Sequence, residues 1–319
     1  ALADKWVFWF APVVPVVTSL VAFSVIPFSD KFQVTDTNIG LLFVMAVSSV
    51  GILGIILGGW SSNSHYPLLG ALRSTAQLVS YEVAMGFAIV GGLMVAGTLS
   101  MQQIVLRQLE QHVWFVFYQP VAFLIYGVAA LAETNRAPFD MPEAESEIVA
   151  GYHTEYSGFR FALYFLAEYT NMVVVSAIAV TLFLGGWLRP FPNVRGLDFL
   201  DYVPVAAIFG LALLSWMDVG REARRTEKMV MAGLGAAGFA AGILLLPPVD
   251  QALGWPILLD LVKNFFWFSA KVFLALYTFI WIRFTFPRYR YDQLMRIGWR
   301  WLIPLAIANV IVTGVLMVL

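Results

Sequence analysis

The chain has 319 residues, 60% hydrophobic and 12% charged, with a net charge of −1 and a mean hydropathy of +0.80. Soluble domains carry about 25% charged residues, so this deficit describes a surface made for lipid or another protein, and a net charge near zero gives no basis for nucleic-acid binding. Cysteine is absent, which excludes disulfides and Fe–S ligation. His65, His112 and His153 fall near segment ends rather than inside apolar runs, so a buried bis-histidine haem is not expected. The sequence opens at Ala1 without a signal-peptide pattern and reads as lacking its true N-terminus.

A hydrocarbon core of roughly 30 Å needs about 20 apolar residues as a helix. Nine stretches are candidates: 5–27, 38–60, 72–97, 113–132, 160–187, 202–217, 229–246, 257–283 and 300–319. The sixth has the shortest core, Val203 to Met217. The runs are continuous, whereas β-barrel strands would alternate. The expected fold class is all-α, a polytopic membrane protein with a bundle of about nine transmembrane helices. No internal repeat or low-complexity segment is visible.

Orientation follows from the Lys/Arg bias of the connections. Thirteen of these residues, including Lys5, Arg73, Arg136, Arg160, the REARRTEK turn and the Arg283–Arg300 group, fall on one side and four on the other. The richer side is expected to be cytoplasmic. Trp6, Trp9, Trp60, Trp187, Trp255, Trp299 and Trp301 lie near the proposed span ends, as an interfacial aromatic belt requires. The organisation expected is a membrane core over 1–187 with the loop 133–159, a helical pair over 188–255, and two C-terminal spans over 256–319.

The loop LAETNRAPFDMPEAESEIVAGYHTEYSGFR holds Glu133, Asp140, Glu143, Glu145, Glu147 and Glu155 against Arg136 and Arg160. Part of this is local structure: Asp140 can cap a helix, Pro142 suits its first turn, and Glu143 follows three after the cap. Six acids exceed the needs of one cap, and clustered carboxylates titrate as a group, so the loop is a candidate proton-handling element as well as a candidate solvated face. Glu82, Glu168 and Lys271 sit inside spans. An ionised side chain at mid-membrane costs on the order of 3 kcal/mol on insertion scales, which leaves two readings, a structural Lys–Glu pair or an intramembrane proton relay. His153 in GYHTEY reads as a hydrogen-bonded loop histidine. Gly54/Gly58 and Gly238/Gly242 have the spacing of helix contacts. The basic, aromatic run FPRYRYDQLMRIGWR suits a membrane anchor or a docking face.

ETNRAPFDMPEAESEIVAGYHTEYSGFRFALYFLAEY closely resembles the signature of the H subunit of prokaryotic complex I, the homologue of mitochondrial NADH dehydrogenase subunit one. GWSSNSHYPLLGALRSTAQLVSYEVAMG, VTLFLGGW and IWIRFTFPRYRYDQLMRIGW extend the resemblance over nearly the whole chain. It implies a non-redox membrane subunit of a proton-pumping NADH:quinone oxidoreductase in the bacterial plasma membrane, not active alone. Quinone would be its substrate. FMN and Fe–S clusters would sit on partner subunits, the peripheral arm would complete the quinone site, and other membrane subunits would flank the chain. The resemblance places Glu133, Arg136, Asp140, Glu143, Glu145, Glu147 and Glu155 in the quinone-cavity loop and Glu82 and Glu168 on the proton-coupling path, with Lys271 in line beyond them. Three departures accompany it. The family's opening helix and basic amphipathic segment are not seen, Ser48 and Ser49 stand where some relatives carry an acid, and 188–255 looks like an insertion, giving seven family helices plus a pair. A membrane-bound hydrogenase or formate-hydrogenlyase subunit is the nearby alternative. A proton-coupled secondary transporter is a more distant one, since it would show broken helices and inverted repeats.

Overall fold

The computed structural model describes residues 4–140, 151–191, 195–219, 225–245 and 256–319. Among these residues every regular element is helical: α1 (Lys5–Phe10), α2 (Val13–Phe23), α3 (Gly40–Ser61), α4 (His65–Ala96), α5 (Met101–Gln111), α6 (Phe115–Tyr118), α7 (Pro120–Glu133), α8 (Phe159–Phe183), α9 (Val203–Asp218), α10 (Arg225–Leu244), α11 (Pro256–Thr285), α12 (Tyr291–Ile297) and α13 (Ile303–Val318). Eight helices among the described residues are long and apolar enough to cross a membrane, with α1–α2 counted as one and α12–α13 joined through a π-helical turn at Gly298–Leu302. The ninth expected span is the short α7 of 14 residues. At about 1.5 Å per residue it reaches about 21 Å. Pro120 opens it, having no N–H to continue a ladder from the preceding turn, and α6 lies just before.

The stretch between the third and fourth spans contains an amphipathic helix. Met101, Ile104, Val105 and Gln108 form the buried stripe of α5 at the spacing that puts side chains on one helix face. Gln108 ties this helix in, its amide donating to the Thr181 carbonyl at 3.0 Å and its oxygen accepting from the Phe115 N–H at 3.1 Å.

Packing divides the chain into two units, one of Ala1–Pro27, Gln33–Gly186 and Lys271–Leu319, the other of Phe28–Phe32 and Trp187–Ala270. In the first unit α4 and α8 are the interior helices: 50% and 56% of their most apolar stretches are buried, against 22% for α1–α2 and 28% for α3. Glu82 and Glu168 therefore stand on the two most buried of the eight long apolar helices. Glycines set the closest approaches. Gly58 lies under the Tyr164 hydroxyl, which donates to the Gly54 carbonyl at 3.1 Å. A Cβ at Gly70 would stand 2.6 Å from the Cα of Gly151, so the short turn Gly151–His153 sits directly on the α4 backbone.

In the second unit α9 and α10 form an antiparallel hairpin. A Cβ at Gly238 would meet Ala212 at 2.8 Å and one at Gly242 the Phe209 ring at 2.7 Å, so as one helix ascends the other descends. Both glycine pairs singled out by spacing are thus helix contacts. Arg189 closes the preceding turn with Asp198 at 2.8 Å and Asp201 at 3.3 Å.

Candidate functional site: a carboxylate-lined cavity

The opening of the acidic loop is buried rather than solvated. Thr134, Asn135, Arg136, Phe139 and Asp140 are all buried. Gln77, fully buried on α4, holds this turn from below, its amide donating to the Ala132 carbonyl at 2.7 Å and the Phe139 carbonyl at 2.9 Å. From the far end of the chain the segment after α11 reaches the same turn. The Tyr289 N–H donates to the Pro138 carbonyl at 3.1 Å, Tyr289 stacks on Phe139 at 5.8 Å, and Arg288 donates to Asp140 at 3.2 Å. Half of the basic, aromatic run is accordingly a clamp on the loop. The Asp140 carboxylate accepts from Arg288, and the helix it was expected to cap lies outside the described residues. Glu143, Glu145, Glu147 and the helix start expected at Pro142 lie outside the described residues.

With the turn fixed, three carboxylates from three helices converge. Glu82 of α4, Glu133 at the end of α7 and Glu168 of α8 line one cavity of about 70 Å³, together with Thr18, Ser48, Asn135, Tyr152, Tyr164 and Asn171. That volume holds a few water molecules. Of the two serines singled out in α3, Ser49 donates to the Glu82 carboxylate one helix away, while Ser48 donates to the Met45 carbonyl at 3.0 Å and lines the cavity. Glu133 faces both Glu82 and the Asn171 amide, and its Oε2 is buried without a protein hydrogen-bond partner.

Glu168 is the most heavily partnered of the three. The Tyr152 hydroxyl donates to it at 3.2 Å, the Arg136 guanidinium stands at 3.6 Å and the His153 Nε2 at 3.8 Å. Arg136 also lies over the Tyr169 ring, 4.3 Å from its centroid, a cation–π contact that helps hold a charge away from bulk water. His153 is buried, 4% exposed, with its Nδ1 lacking a hydrogen-bond partner. The reading of it as a hydrogen-bonded loop histidine is therefore corrected. It is enclosed because the Gly70–Gly151 contact presses its turn into the helices. Nearby, burial raises the Tyr156 phenol above its ordinary range, and this side chain stacks on Phe8 at 4.1 Å and meets Tyr164 edge-on at 5.1 Å.

Two expected members stand apart. Glu155 is exposed. Lys271 is buried elsewhere in the first unit, its ammonium donating to the Leu184 carbonyl at 2.7 Å and the Gly186 carbonyl at 3.0 Å, with the Trp114 ring 4.7 Å away. From Glu168 to Leu184 is 16 residues (184 − 168), and at about 1.5 Å each this is about 24 Å along α8. The Lys–Glu pair considered from sequence is not formed with Glu168. Among the described residues no cluster of His, Cys, Asp and Glu has the arrangement of a metal site.

Carboxylates, hydroxyls, a histidine and a guanidinium thus meet around one small cavity among apolar helices, a set of groups chemically able to accept and donate protons. The NADH dehydrogenase family model matches residues 1–314. The chain belongs to this family. Its similarity extends to the second H subunit of the NADH-quinone oxidoreductase of Solibacter usitatus, 55% identical over 320 residues, covering 98% of this chain and 79% of that protein. The first H subunit of the same enzyme from Koribacter versatilis is 50% identical, covering 98% of this chain and 76% of its own length. The second H subunit from Geobacter sulfurreducens is 41% identical over 98% of this chain. The resemblance drawn from the loop signature is thus met by the family match, and the all-helical apolar architecture agrees with a polytopic membrane protein.

Proposed function

We propose that the chain is the membrane subunit of a proton-pumping NADH:quinone oxidoreductase that forms part of the quinone-binding tunnel and holds the first proton-coupling residues. The observation that carries this reading is the cavity lined by Glu82, Glu133 and Glu168, directly behind the buried start of the acidic loop. Quinone reduction takes up two electrons from the partner subunits and two protons, and the neighbouring groups that give up those protons change charge beside the loop. Arg136, Asp140, Glu143, Glu145, Glu147 and Glu155 belong to that loop's response, and Glu168, Glu133 and Glu82 pass the change inward. Lys271 receives it further along the membrane. FMN and Fe–S centres on partner subunits deliver the electrons, the chain itself being non-redox and inactive alone. The bacterial plasma membrane is its location, with loop 133–159 on the cytoplasmic side beside the peripheral arm.

Glu168→Gln and Glu147→Gln in the assembled enzyme test this. Both variants should lose most quinone-dependent turnover while NADH oxidation by an artificial flavin-site acceptor is spared. Equal loss of both activities would mean misassembly, and unchanged turnover would remove the acids from the coupling path.

The segment 188–255 is in this reading an added helical pair with no part in catalysis. Two spans preserve the sidedness of all that follows, and none of the described residues of this segment lines the acid cavity. Cysteines at Arg224 and Asn193, in a chain free of cysteine, should react with impermeant thiol reagents from the cytoplasm and from outside respectively; labelling of both from one side contradicts the pair.

A further inference from the structure

We propose that His153 carries the exchangeable proton of the buried cluster and that Glu168 is its counter-charge. This rests on the proton-coupling reading above and refines it, because the acids alone were its carriers there.

Glu168 has two basic neighbours, Arg136 at 3.6 Å and His153 at 3.8 Å. Their chemistry differs. A guanidinium keeps its proton at any pH a cell reaches, so Arg136 and Glu168 form a pair whose charges cancel. Histidine is the side chain whose charge changes near neutral pH. Uptake of one proton at the His153 Nε2 therefore takes the trio from neutral to singly positive, and its release to the cavity restores neutrality. The Nε2 side faces the carboxylate, and the Tyr152 hydroxyl bonded to that carboxylate lines the cavity. Both separations exceed a direct hydrogen bond and match the looser geometry of acid–base groups between turnovers.

The surroundings hold the imidazole in place with its Nε2 toward the Glu168 carboxylate. Tyr152 packs on it at 3.9 Å, Tyr164 meets it edge-on at 5.4 Å, and Phe161 and Phe165 close the sides at 5.5 Å and 5.8 Å. The turn Gly151–His153 packs on α3 and α4. α3 has no titratable side chain along its length. On α4, the Arg73 guanidinium lies over the Tyr291 ring at 5.3 Å, His65 and Tyr66 are exposed, Tyr81 donates to the Leu294 carbonyl, and Glu82 accepts from Ser49 and lines the cavity with Tyr152 and Glu168. Glu168, Arg136, Tyr152 and Tyr164 are thus the titratable or charged groups that face His153.

The test uses the assembled enzyme with His153→Asn, His153→Gln and Glu168→Gln. Both His153 variants should retain NADH oxidation by the artificial flavin-site acceptor, lose quinone-dependent turnover at least about tenfold, and show a flat profile between about pH 5 and 8. Wild-type turnover and pH profile in the His153 variants, with Glu168→Gln impaired, overturn the role of His153 and leave the coupling reading standing. Wild-type behaviour in all three overturns both. Should the His153 variants fail to assemble, redox-difference infrared spectra of the wild-type enzyme grown on ring-labelled histidine decide. An imidazole-to-imidazolium change on quinone reduction supports the proposal, and its absence contradicts it.

Discussion

Two buried charge sites share helix α8, one in its first half and one just past its C-terminus, and they are built from different materials. Around Glu168 the partners are side chains, Tyr152, Arg136 and His153, beside a cavity of about 70 Å³. Around Lys271 stand the main-chain carbonyls of Leu184 and Gly186 and the face of Trp114. Carbonyls at a helix C-terminus attract a cation through the helix dipole as well as through hydrogen bonds, yet they neither gain nor lose protons. Side chains and cavity water do both. A membrane protein thus offsets the cost of a buried charge in two ways. One set of partners can rearrange and exchange protons, while the other consists of fixed dipoles that can do neither.

The sharpest way to break this contrast is to neutralise each site in turn. Glu168→Ala should lower quinone-dependent turnover about tenfold or more, measured against artificial-acceptor activity, whereas Lys271→Met should lower it less. A larger kinetic loss at Lys271 reverses the contrast. In stability the order changes. Gly70→Ala puts a methyl 2.6 Å from the Gly151 Cα, backbone against backbone, and overpacking of this kind costs about 1–3 kcal/mol; thermal unfolding of the purified complex should show it, along with weaker turnover as the His153 turn shifts. Gln77→Leu leaves the Ala132 and Phe139 carbonyls without their donor, and Lys271→Met does the same at Leu184 and Gly186. Each should cost about 1–3 kcal/mol, and only the former should expose residues 134–140 to faster amide hydrogen exchange. The smallest effect is expected for Asp140→Asn. Asparagine keeps an oxygen that can accept from Arg288, whose half-exposed guanidinium is partly screened by water.

The helical class and the span positions were legible because each follows from local composition: runs such as Leu41–Gly59 or Ile303–Leu319 have no other use in water. Glu82 and Glu168 stood out for the same reason, as charges where charges are costly. Their meeting with Glu133 did not. It depends on which faces of α4, α7 and α8 point inward, and the apolar surroundings on all sides of a membrane helix erase the periodicity that reveals a face in soluble proteins. Gln77 and His153 were missed because their importance is long-range. Gln77 acts on carbonyls 55 and 62 residues away, and His153 is buried only because Gly70 and Gly151 allow backbone contact. Gly70 sits in GALRS and Gly151 in AGYHT, and a small residue facing a glycine turn was the one available signal. The helix α5 was legible in principle, since Met101, Ile104, Val105 and Gln108 follow a helical stripe, but its polar residues hid it among connections.

The central claim is that the three acids of one cavity carry the charge which couples quinone reduction to pumping. The most direct measurement is proton uptake per electron in proteoliposomes containing enzyme with Glu82→Gln, Glu133→Gln or Glu168→Gln, each normalised to its artificial-acceptor activity. The account predicts that every one of the three lowers proton transport per electron or the turnover that drives it, with Glu168→Gln the most affected. Wild-type stoichiometry and wild-type turnover in all three variants would contradict it.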